Sequence, residues 1–278
     1  MKRRLCRILA LTTLVALFAA GCSAEETPEY ANALERIKGE GKIVMATNPE
    51  WAPYEFENLN AETEEDKYAG ADIELGRYIA QQLGVDFELS VMSFETVIES
   101  VAQGQADIGI SAFAYKEDRA EAALLAGPYS VGDDYQGALV RKEDAEELST
   151  VESLNNRTIG VQIGSLQYEI AQETLEGCEY VFFSNPADGV LSLQNGKVDA
   201  VLIASAAGEG YCNNYDDIRM SDLRFESESG NYVIVNKEEQ ELYEAVLEIV
   251  LEAESSGKFA QWLEEATELA NSLNLSAE

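Results

Sequence analysis

The chain contains no histidine in 278 residues. That absence excludes a Ser-His-Asp or Cys-His hydrolase and any His-ligated zinc or haem site. Basic residues are scarce as well: 19 Lys and Arg stand against 52 Asp and Glu, a formal net charge of −33. Lys2, Arg3, Arg4 and Arg7 account for four of the basic residues, so the portion from Cys22 onward carries −37. A surface this acidic repels phosphate backbones and excludes nucleic acid as a partner. Cysteine occurs only at positions 6, 22, 178 and 212, without a CxxC pair, which makes a poor metal site. No metal and no cofactor are expected. What remains is ordinary globular composition, 46% hydrophobic and 26% charged, enough for one large domain or two small ones.

The first segment reads as an address. Lys2-Arg3-Arg4 leads into the apolar run Ile8 to Ala20. As a helix that run reaches about 20 Å, short of the ~30 Å hydrocarbon core of a bilayer. A basic start, a short apolar run and then Ala19-Ala20-Gly21 describe a secretory signal peptide over residues 1–21. Cys22 follows directly, and Ala19-Ala20-Gly21-Cys22 resembles the bacterial lipobox, with Ala19 where leucine is usual. Cys22 is therefore expected to carry a lipid, and residues 22–32, small, acidic and containing Pro28, to form a tether. The expected location is the outer face of a bacterial cytoplasmic membrane. Export also permits Cys178 and Cys212 to pair, although buried free thiols are the simpler expectation.

The body alternates strand and helix periods. Ala33 to Lys38 is an amphipathic helix stopped by Gly39 and Gly41, and Ile43 to Thr47 an apolar strand. Asp72 to Leu83 puts Ile73, Leu75, Ile79 and Leu83 on one helical face before Gly84. Strands at Val85 to Leu89 and Asp107 to Ser111 flank a helix at Phe94 to Gln103. A second set follows Tyr135: strands at Gly137 to Val140, Thr158 to Gln162, Tyr180 to Phe183 and Asp199 to Ile203, with helices at Ser165 to Leu175 and Asn185 to Gln194. A strand at Asn231 to Val235 and two amphipathic helices, Glu239 to Glu254 and Lys258 to Leu273, close the chain. Such units imply α/β lobes with mostly parallel sheets, and a cleft between two lobes is the natural ligand site.

Several motifs stand in order along this pattern. They are Gly41 to Thr47 with Trp51-Ala52-Pro53-Tyr54-Glu55-Phe56; Tyr68-Ala69-Gly70-Ala71-Asp72-Ile73-Glu74-Leu75; Gln103-Gly104-Gln105-Ala106-Asp107; Arg119 placed nine residues before Pro128-Tyr129; Asn195-Gly196-Lys197-Val198-Asp199-Ala200; and Ser256-Gly257-Lys258-Phe259 with Trp262. Together, over about Leu34 to Leu273, the chain resembles family 3 of the bacterial extracellular solute-binding proteins, the amino-acid-binding lipoproteins of ABC importers. The resemblance implies a two-lobed, type II periplasmic-binding-protein-like α/β fold. Lobe one would comprise 33–133 plus 233–278 and lobe two 134–232, joined by hinge crossings near Gly132-Asp133-Asp134 and Gly230-Asn231. It also implies a monomer that closes over a small carboxylate-bearing, amino-acid-like solute and presents it to an ABC permease.

By the same resemblance Arg119 holds the ligand's carboxylate, a task suited to a planar guanidinium. Trp51 and Phe94 would sandwich the ligand's side chain, Ala112 would offer its backbone, with Phe113 and Tyr115 close by, and Gln162, Ser165 and Leu166 would form a strand-to-helix turn that grips the carboxylate. Ser165 serves equally well as a helix cap. Three positions depart from the family pattern. Ala114 replaces a hydroxyl donor, Ala204 replaces the acid that receives the ligand's ammonium, and Asn48 replaces an acid near the opening strand. The ammonium must then find another acid, with Glu50 and Glu209 nearest in sequence, or lie on the ring faces of Trp51 and Phe94, or be absent from the ligand. No catalytic residues are expected. The alternatives are a periplasmic enzyme on the same fold, resembling a cyclohexadienyl dehydratase with Glu50 as general acid, and a stand-alone sensory binding domain.

Overall fold

The computed structural model describes residues 30–132, 134–227 and 230–273. The expected signal peptide, Cys22 and most of the tether lie outside the described residues. The described residues from Ala31 onward form one compact unit, built on two five-stranded sheets.

In the first sheet strand Lys42–Thr47 lies between two parallel neighbours, the edge strand Asp86–Val91 on one side and the short central strand Ile108–Gly109 on the other. Strand Asn231–Asn236 then inserts antiparallel between Ile108–Gly109 and Ala123–Tyr129. The second sheet repeats the plan. Strand Thr158–Gln162 lies parallel to Glu179–Phe183 and Ala200–Ala204, and Gln136–Arg141 inserts antiparallel between Ala200–Ala204 and Ile218–Phe225. Each sheet thus has one antiparallel strand, and that strand is the one entered just after the chain arrives from the other sheet. Two sheets flanked by helices and exchanged in this way make the type II two-lobed fold.

Local sequence explains most element ends. Helix Ala33–Glu40 starts where the Asn32 side chain accepts from the Glu35 amide at 2.9 Å. It runs through Gly39 and stops only at Gly41, whose φ of 76° supplies the left-handed cap. Helix Ala71–Leu83 buries Ile73, Leu75 and Ile79 completely, the stripe expected from its spacing. Helices Gln240–Ser255 and Lys258–Leu273 cover the first lobe, with Val246, Val250 and Phe259 in the core.

Three elements escape the sequence pattern. Helix Ser205–Asn214 contains two glycines, an Asn pair and no sustained apolar stripe. Strand Ala123–Tyr129 is interrupted by Gly127-Pro128, and strand Ile218–Phe225 carries two arginines and an aspartate on its exposed positions. Cys178 and Cys212 are both free thiols rather than a bridge. Cys178 donates to the Leu154 carbonyl at 3.2 Å, and burial raises the Cys212 thiol. Among the described residues no helix is long and apolar enough to cross a membrane.

Candidate ligand-binding cleft

Between the two sheets lies a cleft with an empty volume of about 530 Å³, counting its opening to solvent. All eight residues singled out from sequence line it: Asn48, Trp51, Phe94, Ala112, Arg119, Gln162, Ser165 and Leu166. So do Ala114 and Ala204, the two alanines at usually polar positions.

Arg119 dominates the site. It sits on the short helix Glu117–Ala122 and is only 4% exposed. One terminal nitrogen donates to the Ala114 carbonyl, the other to the Gly164 carbonyl of the second lobe at 3.4 Å. Its Nε is buried with no partner. The guanidinium carbon stands 4.9 Å from the Phe113 ring centroid and 5.9 Å from that of Phe94. Asp118 and Glu169 reach it only through their field, because both pair with Lys116 instead, at 3.3 and 3.0 Å. Burial lowers the Arg119 pKa to about 10, so the group stays charged at neutral pH. A buried cation without an ion pair is costly, and an incoming carboxylate removes the cost.

The second lobe meets Arg119 with a helix start. Gly164, at φ 74°, turns the chain from strand Thr158–Gln162 into helix Leu166–Thr174. The Ser165 hydroxyl is spent on the fold: it donates to the Gln162 carbonyl at 2.8 Å and accepts from the Tyr168 amide at 3.2 Å. What Ser165 leaves to a ligand is the turn itself, where the first amides of the helix, at Leu166 and Gln167, lack intrahelical acceptors. The Lys116–Glu169 pair and the Arg119–Gly164 bond both span the cleft, so the two lobes are drawn together here.

Ala112 has φ 46°, a left-handed conformation that costs a non-glycine residue roughly 1–2 kcal/mol. Asp72 holds it there, its Oδ2 accepting from the Ala112 amide at 2.7 Å and from the Tyr129 hydroxyl at 3.0 Å. With that amide occupied, what Ala112 offers the cleft is its carbonyl. Glu55, on the cleft floor, accepts from the Ser111 hydroxyl at 2.7 Å and lies close enough to Asp72 for the two carboxyls to act on each other. Burial pushes both carboxyls up, Asp72 to about 7 and Glu55 well above its ordinary range. Glu55 Oε2 and Asp72 Oδ1 are both buried without a hydrogen-bond partner, a situation that a proton held by one of the two raised carboxyls would relieve.

Phe94 has two roles. It lines the cleft and also packs on Phe113 at 4.9 Å between centroids, forming the shelf under Arg119. Trp51, 8% exposed, pairs as a strand residue with Glu55. Asn48 donates to the Met92 carbonyl at 3.2 Å and to Glu50.

The acids expected to replace the missing ones do not reach this cleft. Glu50 and Glu209 line a separate groove beside it, with Pro53, Tyr211 and Leu263. Burial raises the Glu50 carboxyl, as a general acid requires, but the residue is off the cleft wall. The acids that do line the cleft are Glu55 and Asp134. Sequence reasoning missed Asp134, along with Gln136, Gln167 and Asn231. The Trp51-to-Phe56 motif contained Glu55 without marking it as a wall residue. Asp134 had no signal beyond its place at a crossing between lobes.

The model of bacterial extracellular solute-binding proteins, family 3, matches residues 43–266. The chain belongs to that family. It is 26% identical over 265 residues to the arginine-binding extracellular protein ArtP of Bacillus subtilis, covering 93% of this chain and 95% of ArtP. The L-cystine-binding protein TcyJ of Escherichia coli is 20% identical over 224 residues, 81% of this chain and 82% of TcyJ. Among solved structures, the amino acid ABC transporter substrate-binding protein AbpA from Streptococcus pneumoniae, bound to L-arginine, superposes with a TM-score of 0.79 at 32% identity. It covers 85% of this chain and 98% of AbpA. An ancestral amino-acid-binding protein described as a precursor of cyclohexadienyl dehydratase shares the fold, at 22% identity and a TM-score of 0.74.

Proposed function

We propose that this substrate-binding protein captures a small amino-acid-like carboxylate between its lobes and delivers it to an ABC permease, without chemistry of its own. Lobe one is 33–133 with 233–278, lobe two 134–232, and closure is a hinge motion at the two crossings. The buried Arg119 without a counter-ion carries the reading, since such a group calls for an anion. The second lobe supplies matching helix amides at Leu166 and Gln167.

The protein's charge narrows the ligand. A net −37 beyond the signal segment slows the approach of dianions and favours a ligand that carries positive charge beside its carboxylate. The ring faces of Trp51 and Phe94 accept an apolar or cationic side chain. L-Arginine, the ligand bound by AbpA and named for ArtP, is the first candidate. The mature protein is a monomer tethered by a lipid on Cys22 to the outer face of the cytoplasmic membrane.

Thermal shift and calorimetry on an unfolded-and-refolded, ligand-free preparation test the reading. Saturation at about 100 times Kd adds ~2.7 kcal/mol and moves the melting point visibly. Stabilisation by L-arginine or another amino acid supports it. Stabilisation by no amino acid, or turnover of a prephenate-type substrate, overturns it.

A further inference from the structure

We infer that Asp134, on the crossing between the lobes, is the acid that receives the ligand's α-ammonium in place of the one absent at Ala204. The inference rests on the amino-acid reading of the cleft given above.

The strand register brings Asp134 to that place. Strand Gln136–Arg141 runs antiparallel to Ala200–Ala204, with Gln136 opposite Ala204. The chain just before Gln136 therefore passes beside the residues just after Ala204. Asp134 Oδ1 accepts there from the Ser205 hydroxyl, from the Ala206 amide at 3.0 Å and from the Tyr135 amide at 3.0 Å. A carboxylate from the hinge is thus fastened one residue beyond the vacant family position, at the start of helix Ser205–Asn214. Three donors fix Oδ1, whereas among the described residues Oδ2 meets the Tyr54 hydroxyl alone, at 3.5 Å. Tyr54 is itself on the cleft wall. Asp134 consequently presents a well-oriented oxygen with most of its accepting capacity unused.

The competing acids are less well placed. Glu55 is almost fully buried beneath the cleft, accepts from the Ser111 hydroxyl at 2.7 Å and has its carboxyl raised by that burial and by the field of Asp72. Glu50 and Glu209 face the neighbouring groove. Asp134 lines the cleft and also borders an open pocket beside Arg224, and among the described residues its carboxylate makes no ion pair. Because the residue lies on the crossing, the contact also ties ligand recognition to the hinge.

The test compares ligand pairs that differ only by the α-ammonium: L-arginine with 5-guanidinopentanoate, and L-glutamine with glutaramate. Calorimetry is run on the wild type and on Asp134→Asn, which keeps an acceptor for Ser205 and Ala206 but removes the charge. The wild type should prefer the amino member of the pair it binds. Asp134→Asn should weaken the amino member by about 10- to 100-fold and leave the des-amino member within about threefold. A purely structural role for Asp134 would weaken both members alike, which overturns the inference. Equal affinity of the wild type for both members overturns it too, and needs no variant. Binding of the amino member with an unaltered preference in Asp134→Asn defeats this inference while leaving the amino-acid reading intact. Binding of neither pair, together with no stabilisation by any other amino acid, defeats both.

Discussion

Arg119 of the first lobe donates to the carbonyl of Gly164 in the second across 3.4 Å, with no carboxylate paired to its charge. The bond joins the lobes at the point where a ligand's carboxylate would sit, and a neutral carbonyl is a weak substitute for an anion. In the proposed function, a bound carboxylate would replace that weak contact with a stronger one at the same guanidinium.

Arg119→Met should separate binding from stability. The methionine side chain fits the shelf made by Phe94 and Phe113 and removes a buried charge without a partner. The ligand-free melting temperature should hold or rise, while affinity for the carboxylate ligand falls by at least about 100-fold. Arg119→Lys should lose at least about tenfold, because a point charge cannot reproduce a two-pronged grip. Calorimetry with circular dichroism melts measures both quantities, and unchanged affinity in either variant removes Arg119 from the ligand site.

Cys22→Ala should release the protein from the membrane. The prediction rests on Ala19-Ala20-Gly21-Cys22 following the apolar run. Fractionation should move the variant from membrane to soluble exported material. Intact mass of the wild type should show cleavage before Cys22 and a diacylglycerol adduct, and cleavage elsewhere without an adduct refutes the assignment.

The Glu55–Asp72 pair should make stability fall as pH rises. Both carboxyls are raised in the folded state, Asp72 to about 7 and Glu55 well above its usual range, whereas in the unfolded chain they titrate near 4. Between those values the folded state binds more protons than the unfolded, so their contribution is complete below about pH 4 and is lost as pH rises through 7. One retained proton gives a slope of at most about 1.4 kcal/mol per pH unit. Glu55→Gln removes one titration but not the general repulsion among 52 acids. Urea titrations from pH 5 to 9 should therefore show a steeper decline in the wild type, and parallel curves would contradict a retained proton.

The legibility of this molecule divides along physical lines. Elements with a sustained stripe, such as Ala71–Leu83 and Lys258–Leu273, were readable to within a residue because their burial follows one period. Helix Ser205–Asn214 was not, since its stability comes from packing on strand Ile218–Phe225, with Met220 against Gly208, rather than from propensity. The cleft residues were readable where a family motif marks them, hence Arg119 and Trp51. Asp134 was not, because its position depends on the register between Gln136 and Ala204, which no local pattern encodes. Glu50 and Glu209, one of three ways considered to meet an ammonium, line the neighbouring groove, because nearness along the chain says nothing about which side of a strand or helix faces the cavity.

Gly70→Ala should destabilise the first lobe more than any exposed glycine substitution. Gly70 has φ 129°, outside the range open to residues with a side chain, and an added Cβ would lie 2.1 Å from the Tyr54 carbonyl oxygen. That oxygen accepts from the Asp72 amide at 2.8 Å, so the neighbour that must yield is backbone already engaged at the start of helix Ala71–Leu83. The disturbance reaches the cleft directly, because Tyr54 meets Asp134 and Asp72 holds Ala112. A loss of at least about 2–3 kcal/mol in urea unfolding is expected. Gly196→Ala makes the comparison: it shares a positive φ, 68°, but an added Cβ meets nothing within 4 Å, so only the backbone cost of about 1 kcal/mol should appear. Equal losses in the two variants would show that the contact with Tyr54 relaxes freely and that the cleft floor is softer than its packing implies.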